Sequence, residues 1–329
     1  MKVGIDVSQA VYGTGVSDYT IDLFNALKSN YPLDQFIPVG FSLRRQDDLV
    51  RLFPHIKKYP IPPTLLDILW NQWHSLDFET FSGQVDVYHS SDWTQAPGKA
   101  KKVTTIHDLA PILYPNEHDP QIVAVHSRRL ALVAKECDAV ICVSQNTAHD
   151  FETLYKYPKS KIYVIPEALP SRFLLKPNKN IDGDYIVAIG ARQHRKNIDR
   201  LISAHEKYQK KYKLPKLIII GEGKLGTGYV SDQRLVDLLA NAKCFVYPSL
   251  YEGFGLPILG AFHHHVPIAC SDIAPFREVG GNSVTYFDPN SEEQIALAIT
   301  QAKSSSNQLQ KFSWTRTATE TMKVYKSIC

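Results

Sequence analysis

The chain has little cysteine and no long apolar run. Its 329 residues include five cysteines, at positions 137, 142, 244, 270 and 329, and their spacing matches no metal-ligand pattern. Two of them lie in apolar, strand-like runs, so we expect reduced core thiols. No apolar run approaches the length that spans a bilayer, and a strand-like segment follows Met1 directly, which leaves no room for a signal peptide. These absences predict a cytoplasmic protein.

The chain also has little net charge. Basic residues number 37 and acidic residues 33, which gives a formal charge of +4 at pH 7. Local basic runs at residues 57–58, 99–102 and 207–216 are typical of solvated faces. The alternative for these runs is a phosphate-rich partner such as a membrane surface. No recognised binding module accompanies the charge, so we predict no nucleic-acid partner.

Length and composition indicate a folded protein of two domains. Hydrophobic residues make up 44% of the chain and charged residues 21%, which excludes a chain disordered along its whole length. A chain of this length exceeds one ordinary hydrophobic core, so two domains of roughly 150 residues are expected.

Short β-branched runs alternate with longer amphipathic stretches, which predicts βαβ units, parallel sheets and the α/β class. A Pro- and Asn-containing stretch of little periodicity, residues 169–184, separates two series of strands and is interpreted as an interdomain linker. The predicted strands are residues 3–7, 35–41, 85–89, 102–106, 139–143 and 162–165, followed by residues 185–189, 216–220, 244–247, 268–270 and 284–287.

One carboxylate stands in a glycine-broken turn after a buried strand. Glu252 follows the apolar run at residues 244–247, and Gly253, Gly255 and Pro257 lead into a predicted helix. In open α/β sheets the carboxyl ends of the strands form the ligand edge, and free N–H groups at a helix start can hold phosphate. The alternative is a purely structural turn, with Glu252 as a helix cap.

Two cations stand where another strand of the second series meets a helix. Arg195 and Lys196 come a few residues after the strand at 185–189. Positive charge at a helix N-terminus opposes the helix dipole, so it indicates a bound anion such as a diphosphate. The alternative is a solvated surface.

Two further candidates lie in the first series. Gly13 and Gly15 separate the first strand from a helix predicted at 20–27, but a lone GxG is not the dinucleotide fingerprint, which needs a third glycine. His107 and Asp108 end another strand, and the histidine alone is as compatible with a structural hydrogen bond as with catalysis. Ser144 is interpreted as a helix cap.

In combination, these motifs resemble a known family. GTG at 13–15, IHDL at 106–109, RKN at 195–197, YEGFGLP at 251–257, FDP at 287–289 and FSW at 312–314 are similar to the retaining, nucleotide-sugar-dependent glycosyltransferases of the GT-B fold. The resemblance implies two Rossmann-like parallel-sheet domains facing across a cleft. Residues 1–168 would form the acceptor-side domain and residues 185–309 an abbreviated nucleotide-sugar domain. Residues 310–329 would form a terminal helix that crosses back to the first domain.

The resemblance also implies roles for individual residues. Glu252 and His107 would hold the transferred sugar, and Asp108 would orient loops or the acceptor. The donor-binding residues that it implies are Gly13, Gly15, Arg195, Lys196, Asn197, Gly253, Phe254, Gly255 and Leu256. It implies no cofactor, because the nucleoside diphosphate sugar is a substrate. We also predict no essential metal, because no clustered acidic metal motif is evident in the sequence.

The implied reaction moves a hexose from a GDP- or UDP-sugar to a hydroxyl of a saccharide or lipid-linked acceptor, with retention, in glycan or glycolipid synthesis. One position departs from the family. Gly260 stands where a second glutamate would bind the ribose. A catalytically weakened homologue that acts as a binding or scaffold subunit is therefore the alternative. If the pocket has room, Gly260→Glu is expected to strengthen donor binding.

Two other stretches invite functional interpretations. Residues 61–73 contain Trp70 and Trp73 and predict either a core helix or a peripheral contact with an anionic membrane or lipid-linked acceptor. Residues 263–265 are three consecutive histidines, and we reject a metal site there because consecutive helical residues point in different directions.

Overall fold

The protein contains two α/β units. A computed structural model describes residues 1–178, 184–190, 193–222, 226–303 and 306–329, without the side chains of residues 306 and 307. One unit consists of Met1–Glu167 and Trp314–Cys329, and the other of Ala168–Ser313. Each unit has a wholly parallel sheet, so the predicted fold class is confirmed.

The sheet of the first unit has seven strands in the order β3-β2-β1-β4-β5-β6-β7. The order reverses at β1, which places the loops after β1 and β4 side by side at the carboxyl edge, where ligands bind in open α/β sheets. The strands are β1 (Lys2–Asp6), β2 (Gln35–Phe41), β3 (Lys57–Tyr59), β4 (Val87–Ser90), β5 (Lys101–Ile106), β6 (Ala139–Cys142) and β7 (Ile162–Val164).

The sequence-based prediction of this sheet missed β3. This strand is an edge strand of three residues, and both of its lysines are exposed. Charged residues on a short edge strand discourage pairing with other chains, but they also remove the apolar pattern by which a strand is predicted.

Seven helices of the first unit precede the crossing to the second unit. They are α1 (Gly15–Asn30), α2 (Gln46–Leu52), α3 (Pro63–Leu66), α4 (Glu79–Ser82), α5 (Ala110–Leu113), α6 (Pro120–Glu136) and α7 (Gln145–Tyr155). A π-helical turn continues α3, and short 3₁₀ helices lie in the loops. Their bounds are Asp67–Gln72 for the π turn and Ser8–Tyr12, Pro115–Glu117 and Lys159–Lys161 for the 3₁₀ helices.

Helix α1 begins five residues earlier than the predicted helix at 20–27. Thr14 and Ser17 form a capping box, in which the Thr14 side chain accepts from the Ser17 N–H and the Ser17 hydroxyl accepts from the Thr14 N–H. This reciprocal pair satisfies N–H groups at the helix start and stabilises the first turn. Gly15 is therefore the first helical residue.

The second unit has five strands in the order β12-β11-β10-β8-β9. They are β8 (Tyr185–Ile189), β9 (Lys216–Ile220), β10 (Cys244–Tyr247), β11 (Ile268–Ser271) and β12 (Thr285–Phe287). Every strand predicted for this half is present. The helices are α8 (Ile198–Tyr212), α9 (Asp232–Ala240), α10 (Leu256–His263), α11 (Ala274–Gly280) and α12 (Glu292–Thr300), with 3₁₀ helices Ser171–Leu174, His194–Lys196 and Ser306–Lys311.

The segment predicted as a linker lies, as far as it is described, in the second unit. Asn178 donates from its backbone N–H and its side-chain amide to the Asp237 carboxylate, at 2.9 and 3.0 Å. Residues 179–183 of that prediction lie outside the described residues. Between β9 and α9 the described residues form isolated bridges, such as Gly221 with Gly228, and no further strand. The prediction of an abbreviated second domain concerns this stretch between β9 and α9.

The terminal helix α13 (Trp314–Ile328) belongs to the first unit. Ala318, Met322 and Tyr325 are buried there in the core that also contains the inner face of α1. The Tyr325 hydroxyl bonds His89 Nδ1 at 2.6 Å, which connects the helix to the end of β4. The far end of the chain thus completes the first hydrophobic core.

Candidate active site

Glu252 lies at the carboxyl end of the second unit's sheet, as predicted. Strand β10 is wholly buried and ends at Tyr247, and α10 begins at Leu256 with a proline in its first turn. The turn between them depends on Gly255, whose φ of +117° is a conformation that side-chain-bearing residues rarely adopt. A side chain at position 255 would also contact the Phe276 ring at 3.1 Å.

The Glu252 carboxylate is buried and receives hydrogen bonds from three side chains. Oε1 accepts from Lys196 Nζ at 2.6 Å and from the Ser249 hydroxyl at 2.7 Å, and Oε2 lies 3.4 Å from Arg195 Nη1. Glu252 itself is 7% exposed. A carboxylate this deeply buried persists as an anion only when it is paired and hydrogen-bonded, as it is here.

The charge state of Glu252 results from two opposing effects. Burial alone would raise the pKa of its carboxyl, but the nearby Lys196 and Arg195 charges and the hydrogen bonds from Lys196 and Ser249 lower it. The cations prevail, and the pKa of Glu252 lies below its usual value. Glu252 is therefore ionised at neutral pH.

The two cations are held by a 3₁₀ turn directly before α8. His194–Lys196 forms this turn, and Arg195 Nη1 also donates to the Tyr251 carbonyl at 3.3 Å. Lys196 has three N–H donors, and Glu252 is its one hydrogen-bond acceptor among the described residues. Two cations face one carboxylate, and the Lys196 ammonium has unused donors.

Asn197 occupies the next position but is directed into the protein. Its backbone is left-handed, with φ +56°, and its side-chain amide donates to the carbonyls of Pro248 at 3.0 Å and Pro289 at 2.7 Å. Its side-chain oxygen accepts from Arg200 at 3.1 Å. These contacts tie the cationic turn to the loop after β10, and they give Asn197 a positioning function in the described structure.

The remaining predicted donor-binding residues of this loop are Gly253, Phe254, Gly255 and Leu256. Phe254 is buried, and its ring lies edge-on to Phe312 at 5.7 Å. Its side chain is therefore part of the core. Leu256 is the first residue of α10.

Gly260 is buried in α10 and has no room for a side chain. A Cβ built on it would lie 2.6 Å from Cδ1 and 2.7 Å from Cε1 of Phe173, closer than real Cβ contacts. Phe173 comes from the 3₁₀ helix Ser171–Leu174 and is itself buried. The expectation that a glutamate at 260 would strengthen binding was conditional on room in the pocket, and the position of Phe173 does not provide that room.

In the first unit, the glycines lie in the loop after β1. Gly13 ends the 3₁₀ helix Ser8–Tyr12 with φ +69°, and a Cβ there would meet no atom within 4 Å. Gly13 is thus required by the backbone conformation and leaves open space beside it, whereas Gly15 starts α1.

His107 lies just after β5 and is paired with a carboxylate that the sequence analysis did not identify. Its Nδ1 lies 2.7 Å from Glu167 Oε1, and its ring meets the Tyr19 ring edge-on at 4.6 Å. Burial lowers the pKa of His107, but the hydrogen bond and charge of Glu167, with Asp92 and Asp108, outweigh it and raise that pKa. The imidazolium is therefore favoured relative to a free histidine.

Two polar residues that follow strands accept hydrogen bonds at the starts of helices. Asp108 accepts a hydrogen bond from the Ala110 N–H at 2.8 Å at the start of α5. Ser144 accepts from the Thr147 N–H at 3.0 Å, so its predicted function as a helix cap is confirmed.

Four of the five cysteine side chains are buried. Cys137, Cys142, Cys244 and Cys270 are buried and free, and Cys329 is exposed and free. Among the described residues, no group of three or more potential metal-ligand side chains lies together.

Sequence reasoning missed three residues that shape these sites. Ser249 could have been found, because it precedes Glu252 by three residues in the same loop. Glu167 is 60 residues from His107, and Phe173 is 87 positions before Gly260, so no local pattern connects either pair.

Two family models match the chain. The model described as "Glycosyltransferase Family 4" matches residues 14–170, and the one described as "Glycosyl transferases group 1" matches residues 225–316. Each match falls within one of the two units apart from a few residues at its end.

Curated relatives match most of the chain. It is 27% identical to O-antigen chain mannosyltransferase B of Escherichia coli over 73% of this chain and 74% of that protein. It is 26% identical to O-antigen chain mannosyltransferase RfbU of Salmonella typhimurium over 87% of this chain and 86% of that protein.

Solved structures show the same fold. Sucrose-phosphate synthase from Thermosynechococcus elongatus superimposes with a TM-score of 0.75 at 16% identity, covering 100% of this chain and 99% of that one. HepE from Anabaena, in complex with UDP and glucose, gives a TM-score of 0.70 at 15% identity, covering 99% and 100% of the two chains.

Proposed function

The chain belongs to the group 1 glycosyltransferases of the GT-B fold, and from this premise we propose that it transfers mannose from a nucleoside diphosphate to a saccharide hydroxyl. It is a nucleotide-sugar hexosyltransferase of glycan synthesis. The choice of mannose follows the named activity of its curated relatives, and the donor is a GDP- or UDP-sugar.

The cluster of Glu252, Lys196 and Arg195 carries this proposal. Its two cations and the unused donors of Lys196 suit a diphosphate, which brings two or more negative charges. Fixed cations at the point where charge develops stabilise a departing diphosphate more than they stabilise the intact donor. The ionised Glu252 then faces the sugar side of the same cluster.

The proposed reaction retains the anomeric configuration and needs no metal. The bond from the anomeric carbon to the phosphate oxygen breaks, and its electron pair stays with the diphosphate beside Arg195 and Lys196. The acceptor hydroxyl attacks the same face of the sugar, and its proton passes to the departing phosphate. Two protein cations supply the charge that a metal ion supplies in other phosphate sites. As the family resemblance implies, His107 contacts the transferred sugar.

We further propose that the acceptor is a saccharide carried on a lipid at a membrane surface. None of the described helices is both long and apolar enough to cross a membrane. Trp70 is buried in the core, whereas Trp73 is 70% exposed and Leu65 and Leu76 are also exposed. These three exposed side chains would reach into the interfacial layer of a bilayer.

An inactive scaffold is not the favoured interpretation. Glu252, Lys196 and Arg195 form a complete hydrogen-bonded cluster. The departure at Gly260 is accommodated by the packing of Phe173 and leaves that cluster intact.

The decisive experiment is a transfer assay with a panel of GDP- and UDP-sugars, with and without a chelator. We expect donor turnover with GDP- or UDP-mannose, an α-anomeric product from an α-linked donor, and unchanged rates in the chelator. Glu252→Gln should abolish transfer while leaving the fold intact by circular dichroism. No turnover of any donor by the wild type, or a rate equal to that of Glu252→Gln, would refute the proposal.

A further inference from the structure

Glu167 is a buried carboxylate whose one hydrogen-bond donor among the described residues is His107. It is 3% exposed, and its Oε1 lies 2.7 Å from His107 Nδ1. It ends the first of the two segments that form the first unit and follows β7, whereas His107 follows β5. The fold therefore brings together two residues that are 60 positions apart.

This contact determines which nitrogen of His107 carries a proton. An ionised carboxylate can only accept hydrogen bonds, so Nδ1 must be the donor. In the neutral ring Nε2 is then an acceptor, and in the imidazolium it is a donor. Nε2 has no hydrogen-bond partner among the described residues, and the Tyr19 ring packs against the imidazole in a T-shaped arrangement. The ring is thus fixed in one orientation with its second nitrogen available.

The contact is more than a structural hydrogen bond. A neutral amide would satisfy an Nδ1–H donor without the cost of burying a negative charge. A buried carboxylate beside a histidine instead stabilises the protonated ring. The charged and titratable groups that also act on His107 are Asp92 and Asp108, which favour its protonation, and His89, with the Tyr19 ring packed against it.

We propose that Glu167 is the positioning residue of His107, and that it holds the proton on Nδ1 and directs Nε2 to a hydroxyl of the transferred sugar. The contact between Nε2 and the sugar rests on the function proposed above, whereas the placement of the proton on Nδ1 does not depend on it. By raising the pKa of His107, Glu167 keeps Nε2 able to donate a hydrogen bond over a wider range of pH.

The test compares Glu167→Gln and Glu167→Leu with a matched control. Gln preserves the shape and an acceptor for Nδ1–H but removes the charge, and Leu removes both. Glu136→Gln is the control, because Glu136 also pairs with a histidine, His74, at 3.2 Å in the same unit, and its other ion pair is with Lys102 at 2.8 Å. In each variant, nitrogen NMR of the His107 ring reports the tautomer and its titration, and transfer assays report the pH profile of kcat/KM.

We expect Glu167→Gln to lower the pH at which His107 titrates and to move the same limb of the kcat/KM profile to lower pH. In Glu167→Leu the tautomer of His107 should no longer be fixed. The kcat of this variant should fall about ten- to a hundredfold, which corresponds to the loss of a charge-assisted hydrogen bond. In a protein that already carries His107→Asn, neither Glu167→Gln nor Glu167→Leu should reduce kcat further. Glu136→Gln should leave both readouts unchanged.

An unchanged His107 tautomer and titration in Glu167→Gln and Glu167→Leu would overturn the proposal, as would an equal shift in Glu136→Gln. The two proposals fail separately. If the wild type transfers no sugar but the ring signals shift as expected, the proposed function is wrong and the proton placement by Glu167 stands. If transfer occurs and the ring signals do not respond, only the assignment of Glu167 is wrong.

Discussion

The Phe173 ring occupies the space that a side chain at position 260 would need. A Cβ on Gly260 would lie 2.6 Å from Phe173 Cδ1, and both residues are buried. The absence of a side chain at 260 and the aromatic ring of Phe173 therefore form one packed arrangement. A glutamate cannot be restored there without moving the ring.

Gly260→Glu is therefore expected to destabilise the protein. Overpacking a buried site typically costs about 1–3 kcal/mol, and here an unpaired carboxylate would be forced into the same space. Urea denaturation should show a lower midpoint, and nucleotide affinity should not rise. The double variant Phe173→Ala with Gly260→Glu should recover part of the lost stability because it removes the ring. Full stability of the single variant would show that the ring moves freely.

Arg195→Ala with Lys196→Ala should weaken nucleoside diphosphate binding by about 3–6 kcal/mol, the sum of two charge-assisted hydrogen bonds. Isothermal titration calorimetry measures this difference. The matched control is Lys207→Ala with Lys211→Ala, which also removes two cations of the second unit that pair with glutamates. An equal loss of affinity in the control would attribute the effect to overall charge and not to the cluster.

The stability contributed by Glu252 should depend on pH with a definite sign. Its folded-state pKa is lowered, so the ionised form is favoured by folding. The contribution is complete above the pKa of the unfolded chain and is lost as the pH falls through the lower folded-state pKa. The free energy of unfolding of the wild type minus that of Glu252→Gln should shrink in that acidic range. A difference that stays constant with pH would contradict the ion pairs.

Trp73→Ala should weaken binding to anionic vesicles about tenfold in flotation assays, since a large apolar side chain contributes about 1.5–3 kcal/mol when it is buried. Leu33→Ala is the control, because Leu33 is 97% exposed in the same unit and is distant in sequence from Leu65, Trp73 and Leu76. No binding of the wild type to anionic vesicles at low salt would remove the membrane proposal.

Much of the architecture was predictable because it depends on local pattern. Buried parallel strands are short apolar runs, so eleven of the twelve strands were found, and the exposed edge strand Lys57–Tyr59 was not. The position of Glu252 after β10 followed from the glycines and proline of its turn. The start of α1 was missed because its cap is a side-chain pair, Thr14 and Ser17, and not part of an apolar period.

The sequence by itself determined the α/β class, the two series of strands and the chemical groups at the strand ends, because residue spacing alone specifies these. Only the tertiary structure decided how those groups pair. It placed Lys196 and Arg195 on Glu252, Glu167 on His107 and Phe173 on Gly260, across separations of 56 to 87 positions. Such contacts depend on which strands are neighbours and on which side chains fill the remaining volume, and both are properties of the packed chain.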